Sequence, residues 1–134
     1  MTRAATVSTE KNIQAACVDW MNTLPGVKVW RQNTGKFLQT YTRKRDSVTT
    51  KRMIRFGENG QGDITGIGPG GVRMEIEAKR PGEYPSLDQQ TWMQFINDHG
   101  GIAFWFDSLY DCVTKMRAAF LARGLEWRKS WEVS

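Results

Sequence analysis

Histidine is almost absent from this chain: among 134 residues there is one, His99. That excludes HExxH and every two-histidine metal site, and it leaves at most one candidate base for a Ser-His-Asp or Cys-His arrangement. Cysteine is nearly as scarce. Cys17 and Cys112 form no CxxC pair, and with a single histidine they cannot complete a four-ligand zinc site without carboxylates. No run approaches the roughly 18 consecutive apolar residues of a membrane span. The opening MTRAATVSTEK also lacks the hydrophobic core of a signal peptide. Together these absences point to a cytoplasmic protein whose two thiols are small core residues rather than a bridge. Whatever chemistry it performs falls to carboxylates and lysine.

What is present is ordinary globular composition, 40% hydrophobic and 25% charged. One domain over residues 1–134 is expected, since a chain near this length buries about two thirds of its unfolded surface without metal or disulfide. The net charge of +5 conceals an asymmetry. Lys28 to Arg55 holds nine basic residues and one acid, Asp46, for +8, and the remainder is −3. Within it, TYTRKRDSVTTKRMIRF sets Tyr41 and Phe56 among Arg43, Lys44, Arg45, Lys51, Arg52 and Arg55. A basic block in an otherwise acidic chain suggests a surface for a polyanion.

Periodicity organises the rest. From Glu10 to about Leu24, Ile13, Ala16, Cys17, Trp20, Met21 and Leu24 form the stripe of an amphipathic helix that Pro25 and Gly26 end. VKVWRQN reads as a strand, and the basic segment of about 36–55 as either a hairpin or a loop. A short strand near Ile64 to Ile67 is followed by a turn at GPGG. In VRMEIEAKR, Val72, Met74, Ile76 and Ala78 then alternate with Arg73, Glu75, Glu77 and Lys79, a strand with one apolar and one wet face. Ser86 or Asp88 caps a helix carrying Trp92, Phe95 and Ile96, which Gly100 and Gly101 stop. The continuously apolar IAFWF suggests a central strand. A last helix spans about Leu109 to Arg123, with a possible tail at 124–134. Trp127 and Trp131 in that tail are open to three readings: packed back, covering a partner subunit, or disordered. The fold class is α/β, a mixed sheet flanked by helices.

On the ExK strand the period of two puts Glu75, Glu77 and Lys79 on one face, adjacent charges about 7 Å apart. Asp63 stands fourteen residues before Glu77. If the two strands pair through GPGG, Asp63 lies beside Glu77. Hard oxygen ligands converging from neighbouring strands suit Mg²⁺ or Mn²⁺, and an adjacent lysine can orient water or neutralise phosphoryl charge. Glu75 shares this face, either to balance Lys79 or to touch a second metal, with the supporting role preferred. His99, at a helix end, reads as structural.

Several of these pieces recur together. RQNTG at Arg31 to Gly35, GQGDITGI around Asp63, EIEAKRPG around Glu77, and QQTW followed by GG resemble a VRR-NUC domain, a branch of the PD-(D/E)XK nuclease superfamily. The resemblance runs from about Arg31 to Asp111 and implies a restriction-endonuclease-like core. It also implies that Asp63, Glu77 and the backbone carbonyl of Ala78 are metal ligands, that Lys79 is the catalytic lysine, and that Gln89 rather than Gln90 is the family glutamine. Glu10 on the first helix corresponds to an acidic residue that often faces the site. One departure is Gly62, where the superfamily name would put proline. The implied function is a Mg²⁺- or Mn²⁺-dependent DNA nuclease selective for branched structures, Holliday junctions or flaps. Arg31, Lys36, Arg43, Lys44, Arg45, Lys51, Arg52 and Arg55 would bind the nucleic acid. Two cuts on a symmetric junction favour a homodimer. The competing reading is a noncatalytic nucleic-acid-binding module on the same fold.

Overall fold

A computed structural model describes residues 10–32, 35–56, 60 and 62–133, with residues 35–39 and 52–56 described by backbone alone. Asn33, Thr34 and Gln61 of the motifs above lie outside the described residues, as do the side chains of Lys36, Arg52 and Arg55. Among the described residues no helix is long and apolar enough to cross a membrane.

The helix over Glu10–Met21 (α1) is followed by β1 (Lys28–Arg31), then β2 (Gly35–Thr42) and β3 (Thr49–Phe56), then β4 (Ile64–Ile67) and β5 (Arg73–Ala78). α2 (Leu87–Asp98), β6 (Ile102–Phe106) and α3 (Leu109–Ala122) complete the main elements. Four strands form one mixed sheet in the order β1-β4-β5-β6, antiparallel except for the β5–β6 pair. The basic segment is the hairpin β2–β3, paired in register from Gly35↔Phe56 to Thr42↔Thr49 and joined to no strand of the main sheet.

Alternation along β5 divides the molecule into layers. Met74, Ile76 and Ala78, together with Ile64, Ile102 and Phe106, face α1 and α3 and are buried there with Cys17, Trp20, Met21, Met116 and Phe120. The opposite face carries Glu75 and Glu77 opposite Ala103 and Trp105, and α2 packs over it through Met93 and Ile96. The face expected to be wet is therefore covered. Glu75 is 0% and Glu77 3% exposed. Alternation fixes which residues share a face, but whether a helix lies on that face is a tertiary matter.

Two further expectations are corrected. IAFWF is not a central strand: β6 forms the edge of the sheet, and it is apolar throughout because α2 and α3 cover its two faces. Its open edge is blocked by side chains, Asn97 pairing with both the N–H and C=O of Ala103 and Lys115 Nζ donating to the Trp105 carbonyl at 2.6 Å. On α1, Ala16 is exposed, and Gln14 takes an inward place.

The tail packs back on the same core. Trp127 lies edge-on to Phe120 at 5.4 Å and near Trp20 and Trp131, and Trp20 Nε1 donates to the Trp131 carbonyl at 2.8 Å. Of the readings open for these aromatics, packing back is the one observed. Cys17 and Cys112 are free thiols buried between α1 and α3, where hydrogen bonding to Cys17 and burial push the Cys112 thiol far up. They are inert core residues. His99 ends α2, its Nδ1 2.8 Å from the Phe95 carbonyl and its ring stacked on Phe95.

Candidate active site

Antiparallel pairing of Ile64 with Ile76 carries Asp63 alongside Glu77, and the Asp63 N–H donates to Glu77 Oε2 at 3.0 Å. The other oxygen of Glu77 is held from two sides. Gln89 Nε2 donates to Oε1 at 2.8 Å, and Lys79 Nζ stands 3.5 Å from the same atom. Gln89 reaches it because Ser86 caps α2 in a reciprocal capping box, with Gln89 Oε1 accepting from the Ser86 N–H at 2.8 Å. One amide thus closes the helix start with its oxygen and holds the carboxylate with its nitrogen. Gln90 is turned away, donating instead to the Pro85 carbonyl.

Glu75 sits deeper and serves differently. Its Oε1 accepts from Thr65 Oγ1 at 2.9 Å and from Arg73 Nη2 at 2.5 Å, and its Oε2 accepts from Gln32 Nε2 and the Gly62 N–H, both at 3.3 Å. The cation paired with Glu75 is therefore Arg73, not Lys79. Gln32 also donates to the Gly62 carbonyl, and its own N–H to the Asp63 carbonyl, so the Glu75 cage anchors the backbone on both sides of Asp63. Glycine at 62 has two causes here. A Cβ would lie 2.7 Å from the Ile76 oxygen, and proline would have no N–H for Glu75.

Replacing Glu75 with alanine is expected to cost about 1–3 kcal/mol, the cost of leaving the Thr65, Gln32 and Gly62 donors without their acceptor, since Arg73 is half exposed and can turn to water. Glu75→Gln, which keeps two acceptor lone pairs, should cost less. Urea unfolding of the two variants checks the order, and equal stability of Glu75→Ala and the parent would show that the cage bears no weight.

Beside Asp63 opens a polar cleft of about 330 Å³ lined by Glu10, Lys11, Gln14, Arg31, Gln32 and Asp63. Glu10 thus borders the same cleft as Asp63, and Arg31 stands at this site rather than on the hairpin. Gln14 and the residues of the Glu75 cage, Gln32, Thr65 and Arg73, were not singled out by the sequence. A polar residue in the apolar stripe of α1 was the available signal for Gln14.

Among the described residues, no group of three or more histidine, cysteine or acidic side chains is placed to hold a metal ion by itself. The pair Asp63 and Glu77 nonetheless fits a hard divalent cation, because burial and then the neighbouring Asp63 carboxylate push Glu77 up to about 8. Two close carboxylates are thus left without sufficient positive charge between them. Mg²⁺ needs only one or two protein carboxylates, the rest of its shell being water and phosphate. The carbonyl of Ala78, at the end of β5, is the further oxygen that the resemblance assigns to it.

No known protein family matches this chain, and no curated protein matches it.

Proposed function

We propose that this chain is a Mg²⁺- or Mn²⁺-dependent nuclease of the VRR-NUC type that hydrolyses DNA phosphodiester bonds. The observation that carries the reading is the meeting of Asp63, Glu77, Lys79 and Gln89 at one end of a mixed sheet. A bound divalent ion would supply Lewis acidity at the phosphoryl oxygens. Asp63 and Glu77 would hold it, with the Ala78 carbonyl and Glu10 as further oxygens. Gln89 keeps the Glu77 carboxylate in place. Lys79 presents an ammonium beside that carboxylate, where it can orient the attacking water and offset charge on the phosphoryl group. In the hydrolysis a water oxygen bonds to phosphorus, the bond to the leaving oxygen breaks, and the proton lost by water is balanced by one gained at the leaving oxygen.

The hairpin supplies the nucleic-acid surface. Tyr41, Arg43, Lys44, Arg45 and Lys51 are all exposed on it, and Lys36, Arg52 and Arg55 lie on the same two strands. Branched DNA, such as a Holliday junction or a flap, is the substrate this reading favours, with a homodimer presenting two sites to a symmetric junction. Incubating plasmid and a four-way junction with Mg²⁺, Mn²⁺ or EDTA tests it. Cutting that needs the metal supports the nuclease, undiminished cutting in EDTA removes the metal, and binding without any cutting leaves the noncatalytic module.

Arg43 is 2.9 Å from Asp46, whose Oδ1 also accepts from the Val48 N–H and shapes the hairpin turn. Lys44 and Arg45 have no such acid partner among the described residues. Changing Arg43, Lys44 and Arg45 to alanine should weaken binding to every DNA sequence alike. It should also shallow the slope of log K against log salt by up to about 0.9 per lost phosphate contact on duplex DNA. A wild-type affinity and slope in the triple variant would show the charges to be only solvated.

A further inference from the structure

Gln14 lies inside the helical stripe that packs α1 against the core, yet it is polar and only 6% exposed. Its amide has no hydrogen-bond partner among the described residues, and it borders the cleft beside Asp63. The amide is not among the fully enclosed unpartnered polar atoms, so the little exposure the side chain keeps is toward the cleft it lines. The amide therefore has the properties of a group waiting for a ligand in the cleft.

The lining selects the ligand. Lys11 and Arg31 give the cleft two cations, and the first turn of α1 adds the positive end of a helix dipole. No aromatic side chain among the described residues lines it, so it offers no platform on which a base could stack. Glu10 and Asp63 would repel a bare anion, so an anionic ligand has to arrive together with a neutralising cation, as a nucleic-acid phosphate does. We propose that Gln14 is a substrate-positioning residue: its amide N–H donates to a nonbridging oxygen of a backbone phosphate of the bound DNA, seated in the cleft next to Asp63 while Arg31 supplies the charge. This rests on the nuclease reading for the identity of the substrate and adds a contact which that reading does not assign.

Leucine is close to glutamine in size and lacks the polar atoms, so Gln14→Leu isolates the amide. Duplex and junction binding would be measured with Mg²⁺ in a Lys79→Ala background, which keeps both carboxylates and leaves most of the DNA uncut, and KM and kcat in the otherwise wild-type chain. Loss of one hydrogen bond to a charged oxygen should raise Kd about ten- to hundredfold. Because Gln14 is neutral, the salt slope should not change, whereas Arg31→Gln should shallow it by about 0.9. KM should rise more than kcat falls. Gln14→Glu, which points a negative charge at the phosphate, should bind more weakly still.

Thermal melting separates this role from a structural one. Gln14→Leu keeps the size of the side chain and breaks no hydrogen bond among the described residues, so it should melt close to the parent temperature while binding less well. Unchanged Kd and KM in Gln14→Leu would overturn the proposal. So would a binding loss accompanied by a lowered melting temperature, or an unchanged Kd with a shifted Mg²⁺ midpoint, which would make the cleft a cation site. A wild-type chain that binds DNA but cuts none with any metal removes the nuclease reading, and the binding comparison still decides whether Gln14 holds a phosphate.

Discussion

Glu77→Gln, Asp63→Ala and Lys79→Ala should each abolish most DNA cleavage while leaving DNA affinity nearly unchanged. The separation follows from where the charges lie: the exposed cations are on the β2–β3 hairpin, and the carboxylates belong to the main sheet, Glu77 on β5 and Asp63 just before β4. Removing either carboxylate takes away a hard ligand from a pair that has few to spare. Removing Lys79 takes away the cation 3.5 Å from Glu77. A positioned acid or base group typically contributes about 10²–10⁴-fold to a rate, and the loss should appear in kcat and kcat/KM together. Gln89→Ala should do less, since it removes a holder of Glu77 and half of a capping box rather than a reacting group. Single-turnover cleavage of a labelled junction, with binding measured in parallel, checks the set. Wild-type turnover by purified Glu77→Gln protein would refute the assignment of the site.

Much of the fold was legible because it depends on local period. β4 over Ile64–Ile67 and the ExK strand could be read from alternation and glycine punctuation, and the helix start from two candidate caps, Ser86 and Asp88, of which Ser86 is the one used. The placement of Asp63 beside Glu77 followed from the assumption that these strands pair, which is the register observed. What was not legible depends on the third dimension. A continuously apolar strand means two covered faces, and β6 has those at the sheet edge, so the pattern could not decide its place in the order. Likewise Arg73, two residues before Glu75, shares its face and competes with Lys79 as partner. In the folded chain Lys79 turns to Glu77 and Arg73 to Glu75. Gln14 was hidden for a related reason, because a small residue such as Ala16 fits an apolar stripe as well as a solvent face.

The metal-free protein should lose stability as pH rises from about 5 to about 8, and Glu77→Gln should not. Burial first, and the Asp63 carboxylate second, hold the Glu77 proton in the folded chain to about 8 against an ordinary value of 4.5. Between those values the folded state binds a proton that the unfolded state has released, so the slope of unfolding free energy with pH is negative. Stability from this group is complete below about 4.5, declines through the window and levels off above 8. The limiting slope is about 1.4 kcal/mol per pH unit. Relaxation around the carboxylate reduces the total, so a drop of about 2–4 kcal/mol is expected, or roughly 10 °C in melting temperature for a domain of this size. Glutamine keeps an acceptor and cannot ionise, and subtracting its profile cancels the contributions of the rest of the chain. Mg²⁺ or Mn²⁺ should act in the opposite sense. An ion that binds only the folded, ionised site stabilises by mass action, and it must displace the Glu77 proton, so its effect should be larger at pH 8.5 than at pH 5 and absent in Glu77→Gln. Melting curves at fixed ionic strength, with EDTA and with each metal, give all four profiles. Parallel wild-type and Glu77→Gln curves across pH 5 to 8.5 would show that the carboxylate pair is not strained in the metal-free protein, and the argument that its shortage of positive charge invites a cation would fall with it.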